Sequence, residues 1–374
     1  MSRSGRLRRT MNDVLNARAR ASTLAAGMAK QPDYDARSWA RTALSASTSK
    51  RALGAYARPL ACVNAISLIW TILRETKTLK SSVTGVNTSF DSAYSLTFSA
   101  MGFLLVFRLS RAAVRWWDCR TAFGGITAGV RDFVDVFLIY ASGNARREGV
   151  ADDACAWACA FAAASKAFLR GQSDGAVREE FTGILSEEDV RAMNEATHPP
   201  LFALSMCRRC VKTAFYHSSS SSAPSHDPSS ALADASVRGE LNKQCEFLAL
   251  QVGALERLRA TKIPEIYVIH LRTFLMVYLT SMPFVFVNRW GWGTIPAVFA
   301  VSFALLGIEG AATECEIPFN ADHVNHLKMD AYVMGCFANV AAILDWNAER
   351  ERGERVGEVI RSSEIEETKI VVDP

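Results

Sequence analysis

Two long apolar runs lie back to back in the last third of the chain, and they constrain the fold more than any other feature. Trp290–Ile308, WGWGTIPAVFAVSFALLGI, holds nineteen residues without a charge. Before it, Ile266–Asn288, IYVIHLRTFLMVYLTSMPFVFVN, holds twenty-three, interrupted only by His270 and Arg272. A helix needs about 20 predominantly apolar residues to cross a hydrocarbon core, where backbone groups must bond to one another. Arg289-Trp290-Gly291-Trp292 between the runs reads as a tight turn at an interface, because Trp and Arg both anchor there. The pair predicts a membrane-crossing helical hairpin. The bland alternative is a soluble all-helical protein that buries the hairpin.

Two further runs precede it. Ala52–Leu73 is twenty-two residues long with one charge, Arg58. Ala93–Phe107 has fifteen residues, short for a span unless the helix continues into Arg108–Arg120. The expectation is an all-α membrane protein with four transmembrane helices, at about 52–73, 93–107, 266–288 and 290–308, plus a polar helical bundle. Basic residues set the orientation. Residues 1–58 carry twelve Lys and Arg against three acids, and 108–131 carries five arginines. Both ends and the bundle therefore face inside, with 74–92 and 288–292 outside.

The remainder of the chain is polar. Residues 1–50 form a basic segment whose Arg, Ser and Ala content suits either an organelle transit peptide or a retained tail. Residues 150–217 read as amphipathic helices, with Ser186-x-x-Asp189 as a capping signal. The stretch 217–234, HSSSSSAPSHDPSSALAD, reads as a linker. A helix resumes over 237–262, with Leu241, Cys245, Leu248, Val252 and Leu255 at helical spacing. The main body covers 51–345, and 346–374 is a charged tail. The location is an integral, multi-pass membrane: plasma membrane or endomembrane, or the plastid thylakoid if the basic head is a transit peptide.

Catalytic patterns are missing. There is no Walker A loop, G-x-G-x-x-G, G-x-S-x-G or H-E-x-x-H, so no enzyme is indicated. Nine cysteines, mostly in apolar surroundings, read as free thiols in a reducing compartment. Cys207-x-x-Cys210 has no second pair to complete a zinc site. His323-x-x-His326 could share a helical face but reads better as a solvated loop. Glu309, Glu314 and Glu316 could collect a cation or simply be solvated. Ser99, Phe103 and Phe107 lie at i, i+4 and i+8, on one helical face. Spacing alone leaves that face as core or lipid-facing aromatics.

Three motifs carry a specific resemblance. Phe107-Arg108-Leu109-Ser110-Arg111-Ala112-Ala113-Val114-Arg115-Trp116-Trp117-Asp118-Cys119-Arg120 resembles the F-R-x-N-x-x-Y-x-R-W-W-E-x-R signature of the bestrophin anion-channel family. Ile263-Pro264, then Tyr267-x-x-His270-Leu271-Arg272, is similar to that family's I-P-x-x-Y-x-x-H-L-R. Leu306-Gly307-Ile308-Glu309 with Glu314-Cys315-Glu316-Ile317-Pro318-Phe319 resembles its L-G-I-E…E-x-E-N-P-F. The motifs occur in order, between about residues 52 and 345.

The resemblance implies a homopentamer in a lipid bilayer, passing chloride through a central pore, with bicarbonate and nitrate as further candidate anions. Carried over by position, the pore neck is Ser99, Phe103 and Phe107. The inner basic and aromatic motif is Arg108, Arg115, Trp116, Trp117 and Arg120, which would raise the local anion concentration. Rings of phenyl edges favour a partly dehydrated anion, and such a constriction gates by dewetting. No cofactor is implied, and calcium gating of the animal type is doubtful. Ile317 stands where a ligating Asn is usual, leaving Glu314 and Asp322 as a weak metal candidate. The rival readings are a non-conducting membrane-anchored interaction or scaffold protein and a soluble helical enzyme.

Overall fold

Apolar runs of this length pair their own backbone groups as helices. The computed structural model describes residues 50–76, 89–142, 144–172, 184–216, 228–320 and 326–370. Nine α-helices lie among these described residues: α1 (Lys50–Glu75), α2 (Ser89–Ala141), α3 (Ala145–Arg170), α4 (Glu187–Glu195), α5 (Pro199–Phe215), α6 (Pro228–Ala260), α7 (Glu265–Trp290), α8 (Thr294–Glu316) and α9 (Met329–Ile370). The fold is all-α, as the sequence predicts. By length and composition, two stretches among the described residues are apolar enough to cross a membrane: Tyr56–Glu75, and Glu265–Glu316, which holds α7 and α8.

Several boundaries differ from expectation. The run over 93–107 is only the opening of α2, which continues for 53 residues. The fourth run begins its α-helix at Thr294, after a single 3-10 turn at Gly291–Gly293. Gly291 takes φ +48°, where glycine is favoured, and an added Cβ would meet the Glu75 carboxylate at 3.3 Å. Helix α6 starts at Pro228, so the C-terminal part of the expected linker is helical, while 217–227 lies outside the described residues. Proline suits a first helical position because its missing N–H would have no partner there. Three alanines at 231, 233 and 235 then favour helix. Of the basic segment 1–50, residues 1–49 also lie outside the described residues.

The chain divides into two compact units, each drawn from separated stretches. One takes the described residues up to 120 together with 257–327. Its core joins Val63 of α1, Met101 and Leu105 of α2, Leu275 and Leu279 of α7, and Val298 of α8. Gly310 lets α8 approach α1 closely, since a Cβ there would come within 2.7 Å of the Tyr56 ring. Asn64 donates to Leu60 O within α1 and to Ser302 Oγ across the same contact.

The other unit takes residues 121–256 and the stretch from 328 onward. Its centre is α3, packed on α5 and α9. The sequence suggests an amphipathic α3, but from Ala154 to Ser165 every residue is buried. Alanine and cysteine are small on every side, so neighbouring helices close around the whole circumference. Ser186 caps α4, accepting from Asp189 N at 3.1 Å, as the S-x-x-D pattern predicts.

Candidate functional site

The site is built on α2 between Ser99 and Arg120. Met101 and Leu105 point into the core and are fully buried. Because 3.6 residues make a turn, the side chains at 99, 103 and 107 emerge on a different face. That face is uncovered: Ser99 is exposed, Phe103 is 71% exposed and Phe107 41%. The rings of Phe107 and Tyr267 meet in a T-shaped arrangement, with centroids 6.1 Å apart, and Tyr267 donates its hydroxyl to Leu104 O at 3.3 Å.

Arg108 turns the opposite way. It is 0% exposed, and its Nη2 donates to Glu316 Oε2 at 2.7 Å. Its Nε lies 3.4 Å from Glu309 Oε2, an ion pair without hydrogen-bond alignment. Glu309 is held from its other side by Arg272 Nε at 2.8 Å, and Arg272 Nη2 also donates to Thr313 Oγ1 at 2.9 Å. Glu316 accepts from Ile263 N through Oε1 at 3.2 Å. Arg115 donates Nη2 to Leu258 O at 2.6 Å and Nε to Glu316 O at 3.3 Å.

The three sequence motifs, more than 100 residues apart at their extremes, therefore meet around two carboxylates. A buried charge needs a partner, and here each is paired across helices. Arg108 pairs with Glu309 and Glu316 and Arg115 donates to two carbonyls, so these arginines tie α8 and the C-terminal end of α6 to α2. Spacing along the chain gives no sign of these partners, although all three motifs were legible. Trp116 is half-buried beside Trp117, which is 65% exposed, with ring centroids 6.5 Å apart. Arg120 is partly buried.

Of the metal candidate, Glu314 lies among the described residues. Glu314 Oε2 faces His326 Nε2 at 3.6 Å, and His326 Nδ1 accepts from Asn320 N at 3.1 Å. Asp322 and His323 lie outside the described residues. Among the described residues no group of three His, Cys, Asp or Glu side chains gathers as a metal site. Calcium takes six to eight oxygen ligands, and a carboxylate engaged with imidazole beside the aliphatic Ile317 does not fit it.

The cysteines offer no alternative chemistry. All nine are free thiols, and seven are buried. Burial raises the thiol pKa of Cys207 well above its ordinary value and pushes Cys210 up to about 12. Both therefore stay protonated at neutral pH, unlike a zinc-binding or redox C-x-x-C pair.

Known proteins bear on this arrangement. Residues 33–342 match the family described as Bacterial/Fungal Bestrophin protein. A voltage-dependent anion channel-forming protein of Synechocystis sp. is 28% identical over 247 residues, 65% of this chain and 74% of the relative. Voltage-dependent chloride channel 1, chloroplastic, of Arabidopsis thaliana is 24% identical over 226 residues, 60% of this chain and 50% of the relative. Among solved structures, a bacterial bestrophin homolog from Klebsiella pneumoniae is similar with TM-score 0.63 at 20% identity, covering 77% of this chain and 97% of that one. At that identity the likeness establishes the fold alone.

Proposed function

The chain belongs to the bacterial and fungal bestrophin family, and from that premise we propose that it is an anion channel. Five copies enclose a central pore in a lipid bilayer, each crossing it four times through α1, the first part of α2, α7 and α8. Chloride passes passively, with bicarbonate or nitrate as further permeant candidates. The neck is lined by Ser99, Phe103 and Phe107. The relatives in Synechocystis and Arabidopsis, named as anion or chloride channels, support the activity. The chloroplast relative favours a plastid membrane over the plasma membrane or an endomembrane.

The observation that carries this reading is the split character of α2. One side is locked into the core by Met101, Leu105 and Arg108, while Phe103 and Phe107 stand uncovered on another. Two large aromatic rings left exposed in line call for a partner surface. In a ring of five helices they face one another and form a narrow apolar constriction. Phenyl edges carry partial positive charge, so the constriction favours an anion that has shed part of its water, without a fixed charge to trap it.

Reconstitution in planar bilayers under a KCl gradient tests the reading. A reversal potential near the chloride equilibrium value, shifted by Phe103→Ala or Phe107→Ala, is the expected result. A reversal near the potassium value overturns the anion assignment. A folded oligomer that carries no current favours the scaffold alternative.

A further inference from the structure

We propose that Arg111 supplies the fixed positive charge at the inner end of the neck, recruiting small monovalent anions and setting the preference for anions over cations. The inference rests on the pore reading above and deepens it. Four arginines follow Phe107 within the motif region, and the structure gives them different tasks. Arg108 is buried between Glu309 and Glu316. Arg115 is committed to the carbonyls of Leu258 and Glu316. Arg120 is partly buried. Arg111 is exposed, and its guanidinium carbon lies 5.0 Å from the centroid of the Phe107 ring.

Its place on the helix follows from geometry. Four residues beyond Phe107 is an advance of about 6 Å and a rotation of about 40°, so Arg111 continues the face of Phe103 and Phe107. The contact with Phe107 is a cation–π arrangement. A cation over the ring occupies its negative face and leaves the positive edge for the passing ion. In a pentamer, five such groups form a ring of guanidinium charges directly behind the narrowest aromatic ring. Clefts lined by one sign of charge raise the local concentration of the opposite ion.

The nearest acidic side chain beyond Phe107 on this face is Asp118. Asp118 is exposed, about 20° from Phe107 and about 16 Å further along the helix. At physiological ionic strength the screening length is about 8 Å, so the Asp118 charge is felt weakly at the neck while that of Arg111, at about 6 Å, persists. Arg111 therefore dominates the field there.

The test compares full-length wild type with Arg111→Gln and Arg111→Lys in planar bilayers, at about 20 mM and about 1 M KCl, where the screening length falls to about 3 Å. Arg111→Gln is expected to lower single-channel conductance roughly threefold or more at low salt and to move the reversal potential toward that of potassium, with both differences vanishing at high salt. Arg111→Lys should stay near wild type. Ser110→Glu, at the adjacent exposed position, should reproduce the loss without altering Arg111, which secures the test if Arg111→Gln fails to assemble. Wild-type behaviour of Arg111→Gln at low salt overturns the inference, as does an equal loss at both salt concentrations, which marks a structural effect. In either case the channel reading stands. A wild-type protein with no anion current overturns that reading and this inference with it.

Discussion

Replacing Arg108 by Met should destabilise the fold far more than any exposed substitution on α2. The magnitude follows from what each carboxylate retains. Glu309 keeps Arg272 at 2.8 Å and loses only its more distant partner. Glu316 loses the 2.7 Å bond to Arg108 Nη2 and is left with Ile263 N, while its side chain is only 14% exposed. One buried, under-compensated carboxylate is the net result, and removing one partner of a buried pair costs about 3–5 kcal/mol. Replacing both partners by apolar or neutral groups is often nearly neutral. Arg108→Met with Glu316→Gln should therefore recover most of the loss, giving a coupling of about 2–3 kcal/mol in a double-mutant cycle. Denaturant titration of the purified protein in detergent, followed by tryptophan fluorescence, measures each value. An Arg108→Met variant within about 1 kcal/mol of wild type would refute the reasoning. A double variant that loses the sum of the single losses would refute it as well, because the two charges would then not be coupled.

Three other perturbations have defined signs. Burial alone would raise the Asp330 carboxyl, but Arg170 and Lys166 outweigh it and hold its pKa at about 2. A pKa depressed from about 3.9 stabilises the fold above about pH 4 and loses that effect as pH falls through 2. Since the Asp330 side chain is 58% exposed, the contribution is about 1 kcal/mol. The stability gap between wild type and Asp330→Asn should roughly halve between pH 6 and pH 3, and a gap that stays constant over that range would contradict the assignment. A Cβ at Gly129 would lie 2.8 Å from Leu248 and 3.0 Å from the Phe247 ring, so Gly129→Ala should cost about 1–3 kcal/mol. Gly125→Ala meets only the flexible end of Gln251, at 2.8 Å, and the helix gain of about 1 kcal/mol should offset it; equal losses at the two sites would show that the close approach is not limiting. His198 accepts from Leu201 N through Nδ1 at 3.2 Å, capping α5, and pairs with Glu256 through Nε2. His198→Ala should lower stability by about 1–2 kcal/mol and His198→Asn, which can still cap, by less; identical losses would discount the cap.

How much of this was legible in the sequence depends on the range of the physics involved. The apolar runs over 266–288 and 290–308 were visible because a lipid-length helix is a local property. So was the Ser186 cap, which needs only a residue three positions on. The length of α2 was not visible. Spacing left open whether the helix runs on through the charges at 108, 111, 115 and 120; it does, and Arg108 and Arg115 find partners 208 and 143 residues away. The burial of α3 was hidden for a related reason, since alanine gives no periodic contrast to mark an inward face. At the C-terminal end of the expected linker, composition hid a helix that starts at Pro228.

The same distinction separates two classes of position in the candidate site. Motif arginines read in isolation look like charges offered to a permeant anion. In the fold, Arg108 and Arg115 hold the helix that carries the aromatic face, and their charges are met by protein. A charge that acts on a passing ion must instead be exposed and aligned with Phe103 and Phe107. Arg111 meets both conditions, although the resemblance assigns no role to it. The two classes make opposite predictions. Arg108→Met should alter stability and leave the salt dependence of any remaining current unchanged. Arg111→Gln should alter that salt dependence and leave stability within about 1 kcal/mol of wild type, the worth of an exposed cation–π contact with Phe107.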